Sequence, residues 1–254
     1  MTKRQKFVIT SILLSLGFLG INFLDNQYRF WAIGGLSLLT ILGFIWGLWE
    51  GLDLDATLLT LILPGLFTLG VGIFWFLLPT IFIARIPVIL MYGLGIYALA
   101  LTSNIYTVSA IRTIALMRAA KGVGFVLTLL TSFLVFDAVF SLRVNLAFVL
   151  PLVLMASFLL ILQGLWVSDL DHKLSLPLIK KALVLSFGVT QVAALLFFWP
   201  VTVVVGSLFL TVAVYVLLGL GQASVEGRLF KTTVREYLTI GVVVFIAMFF
   251  ATSW

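Results

Sequence analysis

Apolar residues run along this chain in long unbroken stretches separated by short polar segments. They do not alternate with polar residues at the period of two that marks a half-buried strand. Nine stretches are legible: residues 7–23, 30–49, 57–78, 86–101, 123–139, 146–166, 182–198, 201–220 and 238–254. Each is close to the length an α-helix needs to cross about 30 Å of hydrocarbon, several of them near the lower limit. The pattern predicts an all-α, polytopic transmembrane helix bundle of about nine spans, forming a single integral membrane domain over residues 1–254. The weakest boundary is Pro79 to Arg85, where two runs adjoin. Merging them would give one implausibly long helix from Leu58 to Leu101, interrupted by Arg85 and three prolines, so two spans are predicted.

Charge orients the spans. With a cytoplasmic N-terminus and nine alternating crossings, Lys3, Arg4, Lys6, Arg112, Arg118, Lys121, Lys173, Lys180, Lys181, Arg228, Lys231 and Arg235 all fall on the cytoplasmic side. Only Arg29, Arg85 and Arg143 fall outside, and the C-terminus is outside too. The loop holding Glu50, Asp53 and Asp55 has no basic residue and contributes nothing to the orientation. Trp31, Trp49, Trp75, Trp166, Trp199 and Trp254 lie at or near span ends, at the level that suits an amphipathic ring. The first run follows a basic segment, as a signal peptide would, but no small-x-small cleavage site follows; it reads as an uncleaved anchor.

Composition closes off other classes. Of 254 residues, 63% are hydrophobic and 9% charged, too little polar surface to coat a water-soluble particle. The net charge of +6 sits between apolar runs, where it meets anionic headgroups rather than nucleic acid. Arg112, Arg118, Lys121, Lys180 and Lys181 are the candidate headgroup contacts. With no cysteine and one histidine, His172, thiolate metal sites, iron–sulfur clusters and bis-histidine haem are excluded, and no cofactor is expected.

Asp137 is the most informative polar residue, because it lies within the apolar stretch 132–140. If Lys121 and Arg143 mark the two interfaces, 22 helical steps span about 33 Å and Asp137 sits about 9 Å below Arg143. A carboxylate there calls for neutralisation. Ion pairing or hydrogen bonding with Arg143, Arg85, Arg29 or Ser141, or a helix end displaced into the headgroups, is one expectation; a proton-relay or ion site is the other. Gln163 and Gln191 are the remaining intramembrane candidates, read either as interhelical hydrogen bonds or as the lining of a polar path.

The segment Asp169, Asp171 and His172 superficially suggests a metal site. It lacks a second histidine and carries Lys173, so a solvated loop is the better account. Asp53 and Asp55 lack the basic partners of a pyrophosphate-processing site. Gly43 and Gly47 form a small-xxx-small pair that permits close helix approach. Residues 104–122 mix Arg112, Arg118 and Lys121 with Ile105, Val108, Ile111, Ile114 and Met117. They read either as an amphipathic cytoplasmic connector or as a continuation of the flanking helices.

The segments Asn-Ile-Tyr-Thr-Val at 104–108, Arg-Thr-Ile-Ala-Leu at 112–116, Arg-Ala-Ala-Lys-Gly-Val-Gly-Phe at 118–125 and Gly-Val-Gly-Ile-Phe-Trp-Phe-Leu-Leu-Pro at 70–79 resemble uncharacterised bacterial multi-pass membrane proteins. The resemblance implies a bacterial cytoplasmic membrane and no particular activity. The expected role is a non-enzymatic scaffold or complex subunit, with a membrane-protein partner or a second copy. A small-solute or lipid carrier using Asp137, Gln163 and Gln191 is the alternative, and an enzyme acting on a lipid-linked substrate is the third.

Overall fold

In the computed structural model, residues 2–21, 23–49, 54–77, 82–109, 116–169 and 174–252 are described. Among them are nine helices and no strand: α1 (Lys3–Ile21), α2 (Asn26–Leu48), α3 (Leu54–Leu77), α4 (Phe82–Ser109), α5 (Met117–Ser141), α6 (Leu146–Asp169), α7 (Leu176–Phe197), α8 (Val203–Val225) and α9 (Lys231–Ala251). All nine are long and apolar enough to cross a membrane. Two helices stand on either side of the predicted boundary, α3 ending at Leu77 and α4 beginning at Phe82, and Pro79 itself lies outside the described residues.

The helices outrun the apolar stretches that announced them. The last predicted span, for example, was 238–254, whereas α9 begins at Lys231. Apolar sequence marks the hydrocarbon. The backbone ladder continues past it because Lys and Arg are good helix formers whose long stems reach toward water. Positions 104–109 and 117–122 are accordingly the end of α4 and the start of α5, and the positions between them include residues outside those described. Pro64, Pro87 and Pro151 lie inside helices, which membrane helices tolerate when neighbours satisfy the freed carbonyls.

Caps fix several ends. Thr2 and Gln5 exchange bonds at the start of α1, the Thr2 N–H donating to Gln5 Oε1 at 2.9 Å and the Gln5 N–H to Thr2 Oγ1 at 3.4 Å, a capping box. Thr202 caps α8 by accepting from the Val205 N–H. α8 ends with Gly227 at φ +68°, and the Arg228 N–H reaches back to the Ala223 carbonyl at 2.8 Å. That is a Schellman ending, in which the left-handed residue is best filled by glycine. After α5 the left-handed position belongs instead to Arg143, at φ 49°.

The chain divides into two compact units, residues 1–127 and 128–254, with the division falling within α5. In the first, α1 packs on α2 and α4, α2 on α3, and α3 on α4. Gly43 and Gly47 form the seat for α1: an added Cβ would stand 2.7 Å from Thr10 Cγ2 at one and 3.0 Å from Phe7 Cε1 at the other. The core beside this seat is aromatic, with Phe18 against Trp75 and Tyr92 at ring separations of 4.9 Å.

In the second unit α6 packs on α7 and α8, α7 on α8, and α8 on α9. The buried stripe of α7 is Ala182, Ser186, Val189, Ala193 and Leu196, spaced four and three residues apart as one helix face requires. α9 lies along α8, with Tyr237 against Tyr215 and Phe245 against Phe209. Its outward residues Val242, Val243 and Phe250 are exposed. In both units the outward faces are rich in large apolar residues while many hydroxyl side chains are buried, the arrangement expected when lipid is the solvent.

Candidate functional site

Asp137 lies one turn from the C-terminal end of α5 and is 2% exposed. Its neighbours in sequence, Phe136 and Ala138, are buried as well. The polar group that meets it is the Ser207 hydroxyl of α8, itself fully buried. The Ser207 hydroxyl also lies 2.7 Å from the Val203 carbonyl, so two acceptors share its one proton. Asp137 Oδ1 is buried with no hydrogen-bond partner among the described residues. No ion pair to Asp137 occurs among the described residues. Arg143, the expected partner six residues on, is exposed in the turn that follows. Arg29 donates from Nε to the Leu24 carbonyl at 2.8 Å, and the Arg85 side chain lies outside the described residues.

Gln163 is 3% exposed on α6, and its Oε1 has no hydrogen-bond partner among the described residues. It occupies the same face as Val149, Val153, Ala156 and Leu160, which are buried at the four-and-three spacing. Beside it, Gln222 of α8 donates from Nε2 to the Gly164 carbonyl at 2.9 Å, tying α8 to α6. Gln222 was not singled out from the sequence, because it stands at the polar end of its run next to Ser224 and Glu226. Gln191 is exposed on α7, two residues round from Val189 and off the buried stripe. The small residues of that stripe are the signal that could have placed it on the outward face.

Asp137, Gln163 and Gln191 therefore have three different surroundings. Asp137 is near the C-terminal end of α5, and Gln163 is near the C-terminal end of the following helix, α6. No group of three metal-ligating side chains occurs among the described residues. Asp169 is exposed, while Asp53, Asp171, His172, Lys173 and Arg112, and the side chain of Asp55, lie outside the described residues.

The sequence reading missed the buried hydroxyl chain of the first unit. Thr40 of α2, Thr68 of α3 and Tyr92 of α4 are each 1% exposed or less. Thr40 Oγ1 donates to the Leu36 carbonyl at 2.9 Å, so at its 3.0 Å contact with Thr68 it must accept. Thr68 thereby spends its own proton and accepts from the Tyr92 hydroxyl at 3.2 Å. The protons run one way, from Tyr92 through Thr68 and Thr40 to a backbone carbonyl, and link three helices. Ser37 adds a bond to the Gly65 carbonyl at 3.0 Å. Thr and Ser in an apolar run give little warning of such a chain, since most simply bond back to the carbonyl one turn earlier.

The basic residues collect at helix starts: Lys3, Arg4 and Lys6 in α1, Arg118 and Lys121 in α5, Lys180 and Lys181 in α7, Lys231 and Arg235 in α9. None of these helices has a basic residue in its last turn. The helix dipole disfavours cations at an N-terminus by about 0.3–1 kcal/mol each, so something outside the helix must account for them. Lys181 reaches the Ser224 hydroxyl at 3.2 Å, and Lys6 lies 5.5 Å from the ring centre of Trp46. Arg118 and Lys180 are exposed.

Residues 10–251 match the family model described as a protein of unknown function, DUF5656, and the chain belongs to that family. No curated protein and no solved structure gives a significant match.

Proposed function

We propose that this family member is a non-enzymatic multi-pass protein of a bacterial cytoplasmic membrane, a scaffold or subunit of a larger membrane complex, with α9 as its assembly face. The observation that carries the reading is the dispersal of the intramembrane polar groups: Asp137 meets Ser207, Gln163 belongs to the α6 face beside α8, and Gln191 points outward. A carrier needs such groups to converge on a water-accessible cavity. The pattern of α9 supports an assembly role, because 6% of its spanning window is buried within the chain. A cytoplasmic location for the helix starts is supported by their basic residues, which the surface potential of an anionic leaflet stabilises by about 1 kcal/mol each.

A second reading, a proton or ion carrier, is favoured by the unpartnered Oδ1 of Asp137. Two measurements separate the two. Particle mass in lipid nanodiscs should give a defined assembly of more than one chain, disrupted by Val242→Arg on the α9 face. Liposomes holding the protein should show no proton or cation flux above protein-free controls. One chain per particle together with a flux abolished by Asp137→Asn would overturn the scaffold reading in favour of the carrier.

A further inference from the structure

Between α1 and α4 of the first unit runs an open groove of about 420 Å³, within the size range of small-ligand sites. Ile12 and Leu16 line one wall and Leu90 and Leu94 the other. Its floor is shallow in side chain, because Ser11, Ser15 and Gly93 let the two helices approach; an added Cβ on Gly93 would stand 2.6 Å from Ser15 Oγ. From Val8 to Leu16 the α1 wall runs eight helical steps, or about 12 Å. At one end Tyr97 closes the α4 side, and its hydroxyl accepts from Arg4 Nε at 3.4 Å. A second hollow lined by Thr2, Arg4, Gln5 and Val8 adjoins it, Val8 being common to both.

Arg4 is the group that gives the groove a polarity. The capping box of Thr2 and Gln5 fixes the first turn of α1, and Tyr97 draws the guanidinium toward the groove end. The neighbouring Lys6 is engaged with Trp46 instead. Among the described residues no carboxylate pairs with Arg4. An always-charged, planar donor set is thus held at the mouth of an apolar trough with no counter-charge bonded to it among the described residues.

We propose that this groove binds one anionic phospholipid, with Arg4 on the phosphate and one acyl chain laid between α1 and α4. The chemistry of the two ends matches that of the ligand. Apolar walls suit the chain, and Arg recognises phosphate oxygens through paired N–H donors. Hydration of the headgroup is kept, because Arg4 remains at the exposed end. The site concerns lipid binding alone and stands whether or not the chain assembles through α9.

The test uses the full chain in detergent, loaded with phosphatidylglycerol or with phosphatidylcholine of the same acyl chains, and native mass spectrometry to count retained lipid. Wild type should retain one phosphatidylglycerol in preference to phosphatidylcholine. Arg4→Gln should reduce phosphatidylglycerol retention about fivefold, the worth of one basic residue at an anionic surface, and phosphatidylcholine retention less, because choline already offsets the charge of its phosphate. Leu94→Trp, at a side chain 64% exposed, should fill the trough and displace both lipids without disturbing the core. Arg4→Lys should restore part of the preference, and Arg228→Gln, at a residue of the other unit that pairs with Glu226, should leave it intact. Retention of phosphatidylglycerol by Arg4→Gln at the wild-type level would overturn the proposal. So would a two-chain particle that Leu94→Trp splits, since the groove would then hold a second copy.

Discussion

The hydroxyl chain from Tyr92 to Thr68 to Thr40 makes an asymmetric prediction, because each proton has a fixed direction. Thr68→Val keeps the shape of the side chain but removes two interhelical bonds. It also leaves the buried Tyr92 hydroxyl without its acceptor, whereas Thr40 keeps its bond to the Leu36 carbonyl. Bonds of this kind within a membrane average about 0.6 kcal/mol, so two are worth about 1.2 kcal/mol. Orphaning a buried donor adds about 1 kcal/mol more. Thr68→Val should therefore cost about 2 kcal/mol. Tyr92→Phe removes only the terminal donor and strands nothing, so it should cost about 0.6 kcal/mol. In the Tyr92→Phe background, Thr68→Val should lose only its bond to Thr40, also about 0.6 kcal/mol. The resulting coupling of about 1.4 kcal/mol is readable by reversible unfolding in mixed micelles, arranged as a double-mutant cycle. Equal costs for the two single variants, or additivity within a few tenths of a kcal/mol, would refute the one-way chain.

Three further outcomes follow from local geometry. Gly43→Leu should destabilise by about 1–3 kcal/mol, because its side chain meets Thr10, whose hydroxyl is tied to the Lys6 carbonyl at 2.9 Å; Gly35→Ala, with nothing within 4 Å, should be neutral or better in the same unfolding assay. Arg143→Gly relieves a left-handed non-glycine residue and should stabilise by about 1 kcal/mol; a loss of stability would show that the added freedom of glycine in the unfolded chain outweighs that relief. Reporters fused to the two ends of the chain should be active on opposite sides of the membrane, as nine crossings require, and activity of both on one side would reveal an even number.

The spans were legible because hydrocarbon imposes a severe constraint: about twenty apolar residues in a row have few other uses. Helix ends were not. Lys231 and Met117 begin helices that the hydropathy pattern starts at 238 and 123, since the ladder obeys backbone bonding rather than lipid depth. Among the polar residues, depth could be estimated by counting along a helix but facing could not. Asp137 and Gln163 point inward, and Gln191, as apolar in its setting, points out. The facing of Gln191 is set by where Ala182, Ser186, Val189 and Ala193 permit a neighbour to approach, a pattern present in the sequence but dependent on which face packs. Gly43 and Gly47 show the reverse case. Their spacing was one match among 21 glycines, and only the position of Phe7 and Thr10 distinguishes it from chance.

The polar groups also sort by what holds them. Thr40, Thr68 and Tyr92 are small or singly polar, and neighbouring helices satisfy them completely; such groups specify which helices meet at little electrostatic cost. Asp137 is different in kind. Ser207 offers it one hydroxyl whose proton it shares with the Val203 carbonyl, while Asp137 Oδ1 faces no donor among the described residues. A residue that served only to hold α5 against α8 would be better as serine or threonine, which make the same contact without placing a carboxyl group in the membrane interior. The hydroxyl chain is therefore explained by packing alone, whereas Asp137 is the one described intramembrane acid for which packing is an insufficient reason, and any activity beyond assembly has its strongest physical claim there.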